Sequence, residues 1–193
     1  MKAQHIRLIA YLFLLLGGMA CQPVKIIPVN ELPQEFPLAY EEIYGQFYDS
    51  IPYPVVALDL YSEGLELDST HRMQGTGYNL YVSDIFVPDS VLVPGTYTSI
   101  PKDNLNHFDF QQASYRFLPG KDYEGTPHGI YLLQIEKGQL QSIQVLDSGS
   151  FVVRDTTNGL TDLHFTFYYT NAENRVRTYE AHFQGAFIPW EKR

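Results

Sequence analysis

The chain has 193 residues, 45% of them hydrophobic and 18% charged, which excludes a disordered chain and allows one core of ordinary size. Acids outnumber bases 22 to 13, a formal charge of −9, and this disfavours nucleic acid and anionic membrane surfaces as direct partners. Aromatic content is high at 15%, with 15 Tyr and 12 Phe.

In chain order, Lys2 and Arg7 come first and flank the start of an uncharged apolar run, Leu8–Leu16. The run is shorter than the roughly 20 residues of a membrane span and fits an export signal over residues 1–20. Small residues then lead to the single cysteine of the chain. Leu16-Gly17-Gly18-Met19-Ala20-Cys21 resembles a bacterial lipobox, with Gly18 where leucine is commoner. The resemblance implies that Cys21 becomes the lipidated first residue and anchors the protein to the outer membrane of a bacterial cell envelope. A bare thiol is unfavourable in an oxidising compartment, and acylation removes it. Pro23, Pro28, Pro33 and Pro37 recur every four or five residues. An extended tether is therefore expected over residues 21–38, followed by a single β domain over 39–193. No acid follows directly on Cys21, and the periplasmic and surface faces both stay open.

From Ala39 onward the apolar residues alternate, and Val, Ile, Tyr, Phe and Thr are abundant. Strands are expected at Ile43–Tyr48, Val55–Ser62, Gly77–Phe86, Thr96–Thr98 and Ala113–Phe117. Further strands are expected at Ile130–Glu136, Leu140–Leu146, Ser150–Arg154, Leu163–Thr170 and Val176–Phe187. Turn pairs such as Pro94-Gly95, Pro119-Gly120 and Asn158-Gly159 separate them. One helical turn is expected around Glu41–Tyr44. About ten strands without crossover helices imply an all-β fold, an antiparallel β-sandwich or a partly open β-barrel.

Parity sets the register of the last hairpin. Leu163, Phe165, Phe167 and Tyr169 are odd-numbered, as are Tyr179, Ala181 and Phe183. A loop at Ala172–Asn174 then pairs Phe165 with Ala181 and Phe167 with Tyr179. The opposite face carries His164, Thr166, Tyr168, Glu180, His182 and Gln184. The order of Gly77–Val82, Pro94–Tyr97, Ser148–Val153, His164–Tyr169 and Tyr179–Gly185 is similar to that in small β-rich, calycin-like lipoproteins of Bacteroidetes-type bacteria. That resemblance implies an architecture and no activity.

Motifs for catalysis are missing: there is no Gly-x-Ser-x-Gly, no His-Glu-x-x-His and no phosphate-cradling glycine loop. No catalytic residue and no cofactor are expected, although carboxylate pairs such as Glu63 with Glu66 or Asp59 with Glu180 would suit a glycosidase. His164, His182 and Glu180 are weak candidates for a zinc or copper site, and they read as surface residues, so no metal is expected. Tyrosines such as Tyr48, Tyr81 and Tyr131 exceed what a core of this size needs. Tyr168 and Trp190 are candidates for stacking on a ligand. Asp-Ser and Asp-Thr pairs resemble acceptors of Bacteroidetes O-glycosylation, which makes Ser50, Ser69, Ser90 and Thr156 candidate acceptors, and they are also ordinary turn formers.

These readings imply a lipid-anchored envelope protein whose non-catalytic β domain binds a glycan or a partner protein. Two alternatives stand beside it: a calycin-like carrier of a small amphipathic ligand, and a structural or assembly component of a surface complex. A carrier requires an interior cavity lined by Tyr and Leu. A sugar binder requires exposed aromatics, and an assembly part requires an open strand edge.

Overall fold

The computed structural model describes residues 32–123, 126–156 and 158–191. Cys21 and residues 1–31 lie outside that set. Alternation of β-branched and aromatic residues with polar ones produces a strand-dominated fold. In chain order the strands are β1 Leu38–Gly45, β2 Val55–Tyr61, β3 Leu65–Leu67, β4 Met73–Gly75 and β5 Gly77–Phe86. Next come β6 Gly95–Ser99, β7 Arg116–Phe117, β8 Lys121–Tyr123, β9 Thr126–His128 and β10 Ile130–Glu136. The last are β11 Gln139–Val145, β12 Ser148–Asp155, β13 Thr161–Thr170, β14 Val176–Gly185 and β15 Ile188–Glu191. Two 3₁₀ turns, Lys102–His107 and Phe110–Gln112, lie between β6 and β7.

The main sheet runs β14-β13-β12-β6-β7-β5-β2-β1-β15. Its neighbours are antiparallel except β6 with β7 and β1 with β15. On one edge, β5 changes partner along its length: Gly77–Val82 pair with β10, which carries β11, and Ile85 and Phe86 pair with β7. Asp84, at φ +52°, and a register shift between Val56 and Leu58 mark the bulge where the partner changes.

The sheet curls until its ends meet. The Phe36 N–H donates to the His182 carbonyl at 3.0 Å, and the His182 N–H donates to the Gln34 carbonyl at 2.7 Å. The strap Gln34–Phe36 runs on into β1, and β14 runs on into β15, which pairs in parallel with β1. This moves the tether boundary. Residues 32–38 were expected to be extended spacer, but Leu32 and Phe36 are buried in the core, Phe36 with only 1% of its surface exposed. Pro33 and Pro37 flank the bridge and remove no N–H that it uses, and the Pro33 carbonyl accepts from the Tyr179 hydroxyl at 2.6 Å.

The helical turn expected at Glu41–Tyr44 is the middle of β1 instead. Glu42 joins the outer face with Tyr40 and Tyr44, and Ala39 lies in the interior core. Two adjacent glutamates on opposite faces look unlike a strand until both find partners. The strand expected at Ala113–Phe117 shrinks to Arg116–Phe117 because the second 3₁₀ turn ends at Ala113. The last strand divides into β14 and β15 around Ala186–Phe187. The β13–β14 register is as parity implied: Phe165 faces Ala181, Phe167 faces Tyr179, and His164 faces His182.

Inward residues of β2, β5, β10, β12, β13 and β14 merge in one core that includes Leu58, Leu80, Leu132, Phe151, Phe165 and Phe183. Tyr97 stacks on Phe151 at 4.8 Å, and Phe117 tilts against the same ring at 5.3 Å. The interior that a carrier would keep open is filled by these side chains. Every residue of β2 is buried, so at this strand the outer face of the sheet is covered as well. Ile51, Val55, Phe86, Ile100 and Ala113 cluster at one end of that face, and Tyr61, Leu65 and Ile135 at the other.

Glu41 is also buried, and its Oε1 accepts the Leu92 N–H at 2.5 Å. Burial pushes its carboxyl above the usual range, against the smaller opposing effect of that bond. A raised folded value means that the group stabilises fully in acid and loses its contribution as pH rises through that value. Glu41→Gln is expected to raise Tm by about 2–4 °C at pH 7.5 and to change it little at pH 4. A Tm lowered at pH 7.5 in a thermal melt would overturn this account of Glu41.

Candidate functional site

Between the two outer clusters lies a polar strip built by period two on four adjacent strands. Glu42 and Tyr44 come from β1, Asp59 and Tyr61 from β2, Asn79 and Tyr81 from β5, and Tyr131 from β10. Register places Asp59 opposite Tyr81, and Tyr81 opposite Tyr131. Both carboxylates are buried, Glu42 2% and Asp59 6% exposed. The Glu42 Oε2 accepts from the hydroxyls of Tyr44 at 2.8 Å and Tyr81 at 2.9 Å, and those two hydroxyls lie 3.2 Å apart. Asp59 accepts from the Tyr61 hydroxyl and the Asn79 amide, which also reaches the Leu60 carbonyl at 3.1 Å.

Above this floor opens a cleft of about 400 Å³ lined by Tyr44, Phe47, Tyr48, Tyr81, Asp84 and Tyr131, with His128 at its side. Tyr81 and Tyr131 stack at 5.2 Å, and Phe47 meets Tyr44 edge-on at 5.8 Å. The bulge at Asp84 turns its carboxylate to accept from Tyr48 at 2.5 Å and from Ser83 at 2.8 Å. Burial pushes the phenol of Tyr81 far above its ordinary range, helped by the bond to Tyr44 and the charge of Glu42. Burial does the same to Tyr131, with the charges of Asp59 and Glu42, and to Tyr48, with its bond to Asp84. These phenols therefore stay neutral at physiological pH, Tyr48 and Tyr81 held by carboxylate acceptors, beside open aromatic faces.

A second cluster sits on the outer face of β13 and β14. Asp162 Oδ2 lies 3.2 Å from His164 Nε2, and Asp162 Oδ1 lies 2.7 Å from His182 Nε2. The His164 and His182 rings stack at 4.5 Å, and Glu35 of the strap meets His182 Nδ1 at 3.0 Å. Burial opposes ionisation of Asp162, but its bonds to both histidines outweigh it and hold the carboxyl low. Burial likewise opposes the charge on His182, and Asp162 and Glu35 outweigh it and raise that imidazole. Glu180, the acid expected here, stands opposite Thr166 and is not the cluster's carboxylate. Asp162 is, because residues two apart share a face; a strand begun at Leu163 leaves it out.

The other expected residues are dispersed. Tyr168 is exposed on β13, and Trp190 is half-buried, stacked on His71 at 4.5 Å and edge-on to Tyr40 at 6.5 Å. Asp59 is buried on β2, whereas Glu63 and Glu66 are exposed beside it. Ser50, Ser69 and Ser90 are exposed in turns. The Thr156 hydroxyl is half-buried and accepts the Leu160 N–H at 3.1 Å. Asp68 organises the turn at Ser69: bonds from Thr70 and Arg72 hold its carboxyl down at about 2.

Fold and cleft together define an all-β protein with a curled sheet, a filled interior and an outward-facing aromatic cleft. The chain matches no known family, no curated protein and no solved structure. No described helix is long and apolar enough to cross a membrane.

Proposed function

We propose that this is a lipid-anchored outer-membrane protein of the bacterial envelope, similar to the calycin-like lipoproteins, whose β domain is a non-catalytic saccharide-binding module. The observation that carries the reading is the tyrosine cleft over Glu42 and Asp59. A sugar presents an apolar C–H face and a rim of hydroxyls. The Tyr81–Tyr131 stack and Phe47 supply aromatic surface for the first, and the Asp84 carboxylate and the phenol oxygens supply acceptors for the second. Attachment through Cys21 would hold the cleft close to the envelope glycans.

Thermal unfolding of the mature chain against a panel of oligosaccharides tests the reading. A ligand at a hundred times its Kd adds about 2.7 kcal/mol and shifts Tm by several degrees. Phe47 is 58% exposed, so Phe47→Ala should leave the fold intact and weaken the active sugar at least tenfold. A shift that survives Phe47→Ala and Tyr131→Ala would place the sugar elsewhere. A panel without any shift would favour the assembly reading, because among the described residues β11 pairs only with β10, which leaves its second edge for an added strand.

A further inference from the structure

The structure assigns a zinc site to Asp162, His164 and His182, with Glu35 orienting His182 from behind. The donor set is the first reason. Two imidazoles and one carboxylate are the borderline ligands that zinc takes, and their ligand atoms all lie within 4.8 Å of one another. With bonds near 2.0–2.2 Å, tetrahedral zinc separates its ligand atoms by about 3.4 Å. The separations of 2.7 and 3.2 Å, to the two oxygens of Asp162, both fall short of that spacing, so the side chains must rotate outward to open the cage.

The backbone is the second reason. Asp162 and His164 project from one face of β13, and His182 is the direct cross-strand partner of His164. All three stand on the long β13–β14 pair, whose inward residues Leu163, Phe165, Ala181 and Phe183 are core. The site is therefore mounted on rigid elements rather than on a loop.

The third reason is independent of the ligands themselves. His182 reaches Asp162 through Nε2 and turns Nδ1 to Glu35. A carboxylate on the far nitrogen of a ligating imidazole fixes its tautomer and aim, and it is one of the three partners, with backbone carbonyls and water, that metal-bound histidines almost always have there. Glu35 comes from the strap that bridges β14, so its position does not follow from the hairpin. Exposure falls from 51% of the side chain at His164 to 16% at Asp162. The carboxylate thus forms the inner wall, and a fourth coordination position faces solvent, as in open zinc sites. Through Glu35 the bound ion would also brace the strap that closes the sheet.

The test is calorimetric titration of Zn²⁺ into the full chain, purified in detergent, free of a polyhistidine tag and stripped with EDTA. One ion per chain with micromolar or tighter Kd is expected, together with a zinc-dependent rise in Tm. His164→Ala removes an exposed ligand and leaves the His182 pairings untouched; it should weaken binding at least a hundredfold. Glu35→Gln keeps all three ligands and should weaken it roughly 10- to 100-fold. Absence of stoichiometric binding would overturn the proposal and leave a hydrogen-bonded cluster only. Affinity unchanged in His164→Ala would overturn it equally, since the ion would then be held elsewhere.

Discussion

Gly120→Ala is expected to cost on the order of 3–5 kcal/mol, a large share of the 5–15 kcal/mol that holds a domain folded. A Cβ at Gly120 would lie 2.0 Å from the Leu146 carbonyl oxygen and 2.4 Å from that of Ile130. Neither oxygen can retreat. The Leu146 carbonyl accepts the Gly120 N–H at 3.0 Å, and the Ile130 carbonyl accepts the Leu146 N–H at 3.0 Å. Gly129 meets the same crossing from the other side: at φ +73° its Cβ would stand 2.1 Å from the Pro119 carbonyl oxygen. The two glycines let the chain entering β8 lie directly against the start of β10, and Ser83 locks the arrangement through its N–H to the Gly129 carbonyl at 2.9 Å. Ser83 and His128 both line the tyrosine cleft, so the crossing also sets the cleft's outer wall. Thermal melts should show Gly120→Ala about 6–20 °C below the parent chain. Gly159→Ala is the control. Unlike Gly120 it has a positive φ, +72°, but no atom lies within 4 Å of its Cβ, and a loss of only about 1 kcal/mol is expected. Equal Tm values for the two variants would refute the steric account.

Legibility in the sequence followed the length of unbroken alternation: β1, expected at Ile43–Tyr48, lies at Leu38–Gly45, where the adjacent Glu41 and Glu42 hide the pattern. Gly77–Phe86 and Ile130–Glu136 show their limits directly, and the last hairpin shows its register, because each has a long alternating run that one slip would turn inside out. The short hairpins β3–β4 and β8–β9 have three residues a side, too few for alternation to register. The strap was masked by its prolines, which usually signal spacer and here sit where no N–H is needed. The cleft was harder to see. Tyr48, Tyr81 and Tyr131 were each notable as surplus aromatics, but Tyr44 and Glu42 looked helical, and nothing local joins residues 42, 59, 81 and 131. That juxtaposition is created by the β1-β2-β5-β10 pairing order, a long-range property. His164 and His182 could be paired because a tight loop joins their strands. Glu35 could not, since its bridge to His182 spans nearly the whole domain.

Asp59→Ala should destabilise the fold by about 3 kcal/mol, read as a lower urea midpoint at unchanged m. The carboxylate lies at the centre of the β1-β2-β5 face, where Tyr61 is 1% and Asn79 2% exposed. Removing it strands the Tyr61 hydroxyl and one Asn79 N–H where water does not replace the acceptor, and the desolvation cost of orphaned donors then outweighs any relief from burying a charge. The Tyr61 phenol reports the same coupling: burial raises it first, and the charge and hydrogen bond of Asp59 push it further. Asp59→Asn keeps the volume and one carbonyl acceptor but turns an amide towards donors, so an intermediate loss of about 1–2 kcal/mol is expected. The decisive comparison is the double variant Asp59→Ala/Asn79→Leu. If orphaned donors carry the cost, removing the amide restores part of the loss, and the two changes fail to add. Strict additivity, or a loss below 1 kcal/mol in Asp59→Ala, would mean that the network is dispensable to the fold.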